Sequence, residues 1–226
     1  TGVVTVSQIL GTAALLDGKY VDGMDQTGLS QKGGPVVSSL KIADSQPLGS
    51  NRLTAGGTDC YLALDILTAT AQQHLLRTRP GATVAVVSTS QVPTGAMVAS
   101  PEVQFPQLGG LRAAIDRATS PDANVYLDAT ALADRFFGDH LAANMIVLGA
   151  AYQAGLLPVR ATAIEQAIRL NGAAVTMAGE AGNARPSRTS AAASTATSPR
   201  VTTESLSSRE VTAAQPLAQH EHILRA

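Results

Sequence analysis

The chain is predicted to fold as an α/β domain in three layers, with helices on both faces of a mostly parallel or mixed sheet. Two patterns point there. Short apolar runs such as Thr83-Val-Ala-Val-Val87 alternate with helical-period stretches of ten or more residues at 3–16, 108–118 and 161–170, the pattern of βαβ units. Hydrophobic residues make up 45% of the 226, yet only 3% are aromatic and Trp is absent. Such a core must be filled by Ala, Val, Leu and Ile, which suits close-packed helices on a β-branched sheet.

The elements follow in order. Val3, Val6, Ile9, Leu10, Ala13, Ala14 and Leu16 recur at helical spacing, and Asp17-Gly18 ends that helix. In an α/β fold the turn at Thr1-Gly2 follows a strand, so a first strand is inferred to be missing. The sheet then has an unpaired edge or takes a strand from elsewhere. Residues 19–24 form a candidate strand, residues 25–34 a polar glycine-rich loop, and residues 35–42 a second strand. A strand over 59–65 runs into a helix over 66–77, stopped by Arg79-Pro80-Gly81. The clearest buried strand is 83–87, followed by a long connection. A helix over 108–118 and a strand over 124–128 come next. Helix covers 129–154 with a break at Gly138-Asp139, and a last amphipathic helix covers 161–170.

Beyond residue 179 the composition changes to Ser, Thr, Ala, Arg and Pro. That stretch carries too little apolar area to offset its chain entropy. The domain is therefore set at 1–178, and 179–226 is expected to be a low-complexity, disordered tail. His220 and His222 read as two solvated histidines in it, not as a metal site.

A formal net charge of −1 provides no field for nucleic acid or an anionic membrane, and both are set aside as partners. No apolar run is long enough to span a bilayer and no basic, then hydrophobic, leader opens the chain, so the cytoplasm is the expected compartment. The lone Cys60 cannot form an internal disulfide or ligate an iron–sulfur cluster by itself, and its apolar setting makes it a core side chain. No metal site is expected.

Several segments carry functional-looking groups. Between Met24 and Gly34, backbone N–H groups at Gly33 and Gly34 are suited to an anion, Lys32 to its charge, and Gln26 and Gln31 to hydrogen bonding. An ordinary glycine turn explains the same residues. Thr1-Gly2 at a helix start resembles the remnant of a phosphate-binding turn. Ser88 to Gly95 follows a strand's C-terminal end, the edge ligands favour in open α/β sheets. Asn144 sits in an apolar helix, either as a satisfied core amide or as a contact to a partner or ligand. His74 and His140 lie in helices without an evident orienting partner.

The run Gly23-Met-Asp-Gln-Thr-Gly-Leu-Ser-Gln-Lys-Gly-Gly-Pro-Val-Val-Ser38 resembles the Gly-Gly loop of the gamma-type domain of 2-oxoacid:ferredoxin oxidoreductases, in the form found in fused indolepyruvate-type proteins. Thr1-Gly-Val-Val-Thr5, Val92-Pro-Thr-Gly-Ala-Met97, the run from Asn144 to Pro158 and the run from Ala163 to Gly172 are similar to that subgroup too. The resemblance implies a domain of an enzyme that oxidatively decarboxylates a 2-oxoacid, indolepyruvate or another aryl pyruvate, to an acyl-CoA, with electrons passed to ferredoxin. It implies that thiamine diphosphate, Mg and iron–sulfur clusters belong to other domains, and that this chain binds none of them alone and is inactive in isolation. The implied partners are the thiamine-binding and iron–sulfur domains, ferredoxin through the complete enzyme, and coenzyme A as a further candidate. By the same resemblance Gln26, Gln31, Lys32, Gly33 and Gly34 face the shared active site, with Thr94 and Gly95 as a second segment. Many gamma chains carry Arg where this one has Lys32. Two other readings stand beside it: a stand-alone CoA- or nucleotide-binding module, and a non-functional fragment.

Overall fold

A computed structural model describes residues 2–27, 35–46, 49–100, 102–172 and 220–225; of Ala96 and of 220–225 only the backbone is described. The chain opens with α1 (Gly2–Leu16), whose Val3, Val6, Ile9, Leu10, Ala13 and Ala14 are all fully buried. The three-four spacing read from the sequence is therefore its core face. Gly18, at φ 75°, ends it: the Gly18 and Lys19 N–H groups donate to the carbonyls of Leu15 and Ala14, a Schellman stop that needs the left-handed region open to glycine.

Next come β1 (Tyr20–Thr27) and β2 (Val36–Ala43), an antiparallel pair in register from Tyr20 opposite Ala43 to Thr27 opposite Val36. Asp25, Gln26 and Thr27 thus belong to a strand and not to the expected loop, because pairing with β2 continues through them. Then β3 (Cys60–Ala63) leads into α2 (Ile66–Ala69) and α3 (Gln72–Leu75). The single helix expected over 66–77 is interrupted at Thr70-Ala71. The Thr70 hydroxyl bonds back to the Leu67 carbonyl, and Ala71 is extended at φ −62°, ψ 130°. A local side-chain bond of this kind competes with helix continuation.

The chain continues through β4 (Val84–Ser88), α4 (Gly95–Ala99), α5 (Leu108–Ala118), β5 (Val125–Leu127) and α6 (Ala129–Phe137). A 3-10 turn (His140–Ala142) leads into α7 (Ala143–Gln153), and α8 (Ala161–Leu170) follows. The short α4 lies within the long connection expected after the 83–87 strand. Asp128 caps α6 by accepting from the Ala131 N–H, and Gly138, left-handed at φ 68°, ends it.

The last element is β6 (His220–Arg225), and it corrects the expectation of a disordered tail for those six residues. The sheet order is β1-β2-β6-β3-β4-β5. β6 pairs antiparallel with β2 and parallel with β3, while β3, β4 and β5 run parallel. β6 lies in the sheet interior between β2 and β3, where two facing rows of backbone groups would otherwise be buried without partners. The rest of 179–226 lies outside the described residues.

The sheet is mixed and covered on both faces. On one side α1, α7 and α8 pack on Leu40, Ile42, Cys60, Leu62 and Val86; on the other α2 and α5 pack on Val37, Tyr61, Ala63, Ala85 and Val87. This is the predicted three-layer α/β/α arrangement. Among the described residues, no helix is long and apolar enough to cross a membrane.

Candidate functional site

Because β3, β4 and β5 are parallel, their C-terminal ends open on one edge, where ligand crevices of α/β sheets form. A cleft of about 990 Å³ lies there. Leu64 and Asp65 reach it from the end of β3, Ser88 and Ser90 from the end of β4, and Thr130 from the start of α6. Gly2 and Thr5 bring the N-terminus of α1, and Ala143, Asn144 and Met145 that of α7. Neither helix has an acidic residue in its first turn. The N–H ends of a 15-residue and an 11-residue helix thus border the cleft, a setting that favours an acceptor or anionic group.

The polar groups of the wall are held in place. Ser90 Oγ donates to Asp128 Oδ1 at 2.7 Å, accepts from the Thr130 N–H at 3.0 Å and lies 3.0 Å from Ser88 Oγ. The Ser90 hydroxyl, then the Ala131 N–H, hold the Asp128 carboxyl below the usual range, against a smaller opposing effect of burial. Asp65 accepts from the Leu67 N–H and the Thr68 hydroxyl, both at 2.9 Å, so its carboxylate is occupied as a cap. His74 is 6% exposed. Its Nε2 lies 3.3 Å from Gln73 Nε2, while Nδ1 is buried with no hydrogen-bond partner among the described residues. An unpaired buried imidazole nitrogen is costly and marks His74 as a group with capacity to spare.

Of the residues nominated from the sequence, Thr94 and Gly95 line the cleft, and Thr94 Oγ1 accepts from the Met97 N–H at 3.4 Å, opening α4. Gln26 is in β1, in register with Val37, and its Oε1 accepts from Arg77 Nη2 at 3.2 Å. Gln31, Lys32, Gly33 and Gly34 lie outside the described residues. Pro35 and Val36, which follow them directly, line the cleft. Asn144 is a cleft residue too, and His140 lines the wall beside it. Sequence reasoning left His74 without a role, because a continuous helix over 66–77 hides the turn at Thr70-Ala71 that brings it to the cleft. Apolar side chains of Leu64, Leu67, Val92, Leu141 and Met145 complete the lining.

The pyruvate ferredoxin/flavodoxin oxidoreductase family model matches residues 1–181. The chain belongs to that family. The gamma-type resemblance carried by the Gly23–Ser38 run is borne out. The indolepyruvate oxidoreductase subunit IorB of Archaeoglobus fulgidus is 26% identical over 169 residues, covering 74% of this chain and 79% of that protein. The crystal structure of pyruvate oxidoreductase subunit PORC from Thermotoga maritima superposes with a TM-score of 0.51 at 18% identity, covering 80% of this chain and 85% of that one; this similarity supports the fold.

An iron–sulfur cluster, which enzymes of this kind use, does not fit this chain. Cys60 is its one cysteine and is buried in β3. Burial, with Asp59 adding to it, pushes the thiol well above its ordinary range. A thiol so placed is no thiolate ligand.

Proposed function

We propose that the chain serves as the gamma-type domain of a cytoplasmic 2-oxoacid:ferredoxin oxidoreductase of the indolepyruvate type, closing the shared active site from one side. One observation carries the reading. Segments that resemble the family and are far apart in sequence, represented by Pro35-Val36, the run Val92–Gly95 and the helix start at Asn144, border one cleft. A piece of sequence kept only for packing would not need to converge on the ligand edge of the sheet.

In this reading the partner domains hold thiamine diphosphate, Mg and the iron–sulfur clusters, and decarboxylation and electron transfer to ferredoxin take place there. This chain contributes walls and donors. Val92, Leu141 and Met145 exclude water; Ser90, Thr94 and Asn144 offer hydrogen bonds; Lys32 and the Gly33-Gly34 N–H groups supply positive potential beside Pro35. The acyl acceptor, coenzyme A, fits a cleft with helix N–H ends on one side and apolar side chains on the other.

The deciding experiment compares the chain alone, its thiamine- and iron–sulfur-binding partners alone, and the two combined. The assay is indolepyruvate- and CoA-dependent reduction of a viologen dye. Activity only in the combined sample supports the proposal. Equal activity of the partners with and without this chain, once folding and loading are verified, refutes it.

A further inference from the structure

Among the described residues, His74 is the one member of the cleft wall whose side chain keeps a buried nitrogen without a partner. Ser90 and Asp65, by contrast, are engaged with Asp128, the Thr130 N–H and the Leu67 N–H. A buried nitrogen left unpaired destabilises a fold, whereas an apolar side chain of similar size would not. The imidazole therefore serves something other than packing.

The contact at Nε2 decides what Nδ1 lacks. Gln73 Nε2, 3.3 Å away, is an amide nitrogen and only donates. His74 Nε2 is thus the acceptor, which places the proton of the neutral imidazole on Nδ1. The group left over is an N–H donor, and it wants an acceptor. Arg77, one turn further on, repeats the pattern. Its Nη2 donates to Gln26 Oε1, while Nη1 is buried without a partner among the described residues. A guanidinium carries donors only. Both deficits on this short segment are of the kind that an oxygen bearing negative charge fills best.

The wall around His74 suits such an oxygen. The 11-residue α7 begins at the cleft with Ala143, Asn144 and Met145, and it has neither a side-chain cap nor an acidic residue in its first turn. That end of a helix carries partial positive charge. Asp65, the one carboxylate lining the cleft among the described residues, is turned to the Leu67 N–H and the Thr68 hydroxyl. Hydrogen bonding holds the imidazole by the single contact to Gln73, long for its kind. A half turn about the Cβ–Cγ bond, which exchanges Nδ1 with Cδ2, gives up one weak bond.

We propose that His74 is the donor that fixes an oxyanion of the ligand in this cleft, its Nδ1–H taking a carboxylate or phosphate oxygen. The inference rests on the proposed function for the source of that oxygen, the carboxylate of the 2-oxoacid or a phosphate of coenzyme A. His74 acts as a neutral donor, and no proton is transferred.

Binding to the full chain tests this apart from activity. With nitrogen-15-labelled histidine, long-range proton–nitrogen spectra report His74 Nδ1, assigned by its loss in a His74→Leu chain. Pyruvate and inorganic pyrophosphate are the separate probes, each added up to about 10 mM, some tenfold beyond the usual KM range. A saturable shift of the Nδ1 resonance is expected with at least one of them. A response to pyruvate alone assigns a carboxylate, and one to pyrophosphate alone a phosphate; where both respond, competition ranks them. His74→Leu should weaken the Kd of that probe about tenfold or more, the loss of a charge-assisted hydrogen bond. His74→Asn, whose amide N–H stands about where Nδ1–H does, should recover binding, and His74→Gln should not. An Nδ1 resonance that ignores both probes overturns the proposal. So does wild-type affinity of His74→Leu, or equal affinity of the Asn and Gln variants. An Nδ1 response, together with a viologen assay that proceeds equally without this chain, keeps the oxyanion site and refutes the proposed function.

Discussion

Gly2 and Asn144 pack so closely that a side-chain carbon at position 2 would lie 1.6 Å from Asn144 Nδ2. The contact ties the first residue of α1 to the second of α7, at the point where both helices meet the cleft. It also explains a glycine that no turn requires. Gly2 is helical and carries no positive φ, so its lack of a side chain serves a neighbour and not a backbone conformation.

The sign of a Gly2→Ala effect should accordingly depend on Asn144. On helix propensity alone, Ala gains up to about 1 kcal/mol over Gly. In the wild type the new methyl forces the amide aside, at about 1–3 kcal/mol for an overpacked contact, so the substitution should be neutral to destabilising. In an Asn144→Ala background it should be stabilising. Urea unfolding of the four chains of this double-mutant cycle measures the coupling; additive effects would show that the two residues do not meet.

A second relationship fixes α8 to α1. Asp17, at the end of α1, accepts the Arg160 backbone N–H at 2.8 Å and pairs with the Arg160 guanidinium, and its side chain is 5% exposed. Burial works to raise its carboxyl, but the Arg160 N–H, the guanidinium and Lys19 together hold it below the usual range. With a folded-state pKa lower than the unfolded value of about 3.9, the carboxylate stabilises the fold above that value and loses its effect as pH falls through the folded one. Asp17→Asn should therefore cost about 1 kcal/mol at pH 7, most of the pair being open to solvent on the arginine side. The gap between variant and wild type should close below pH ~4. Melting temperatures across that range provide the check, and a gap that persists in acid would mean the charge is not what matters.

Cys60 reports on the sheet interior. Its thiol is 1% exposed and raised by burial. Iodoacetamide at pH 8 should leave the native chain unlabelled over times in which the urea-unfolded chain reacts fully, a difference of about a thousandfold or more in rate. Rapid labelling of the native chain would show that β3 is open to solvent.

How much of this was legible in the sequence depended on whether the signal was local. The α1 stripe, the β4 run and the bounds of α5 and α8 were readable because periodicity and end signals lie within each element. Gln26 was misplaced because its strand continues by pairing with Val37, a contact made across a hairpin. The break at Thr70-Ala71 rests on one hydroxyl bond that propensity does not reveal. The strand at 220–225 was the hardest to read. Its residues have little β-pattern of their own, and only the pairing rows of β2 and β3 give them a place. The cleft was half legible: Thr94 and Gly95 sit past a strand end as expected, whereas His74 needed the helix break.

The segment that precedes Pro35 offers the sharpest test of the site. Among the described residues lining the cleft there is no Lys or Arg, while Asp65 is committed to its cap. In the proposed function the positive charge at this wall is assigned to Lys32, three residues before Pro35 in sequence. In the assembled enzyme Lys32→Ala should raise the KM for coenzyme A or lower turnover by about tenfold, the loss of a charge-assisted contact, with an unchanged melting temperature. Lys32→Arg keeps the charge but alters its shape, so it should recover charge-dependent binding while leaving any point-contact defect in turnover. Ser90→Ala serves as the structural counterpart. It removes the hydroxyl that bridges Asp128 and the Thr130 N–H, so it should lower stability by about 1–3 kcal/mol. Steady-state kinetics paired with thermal melts separate the two. Wild-type kinetics for Lys32→Ala would remove the loop from the active site and leave Thr94, Gly95 and Asn144 as the groups to test next.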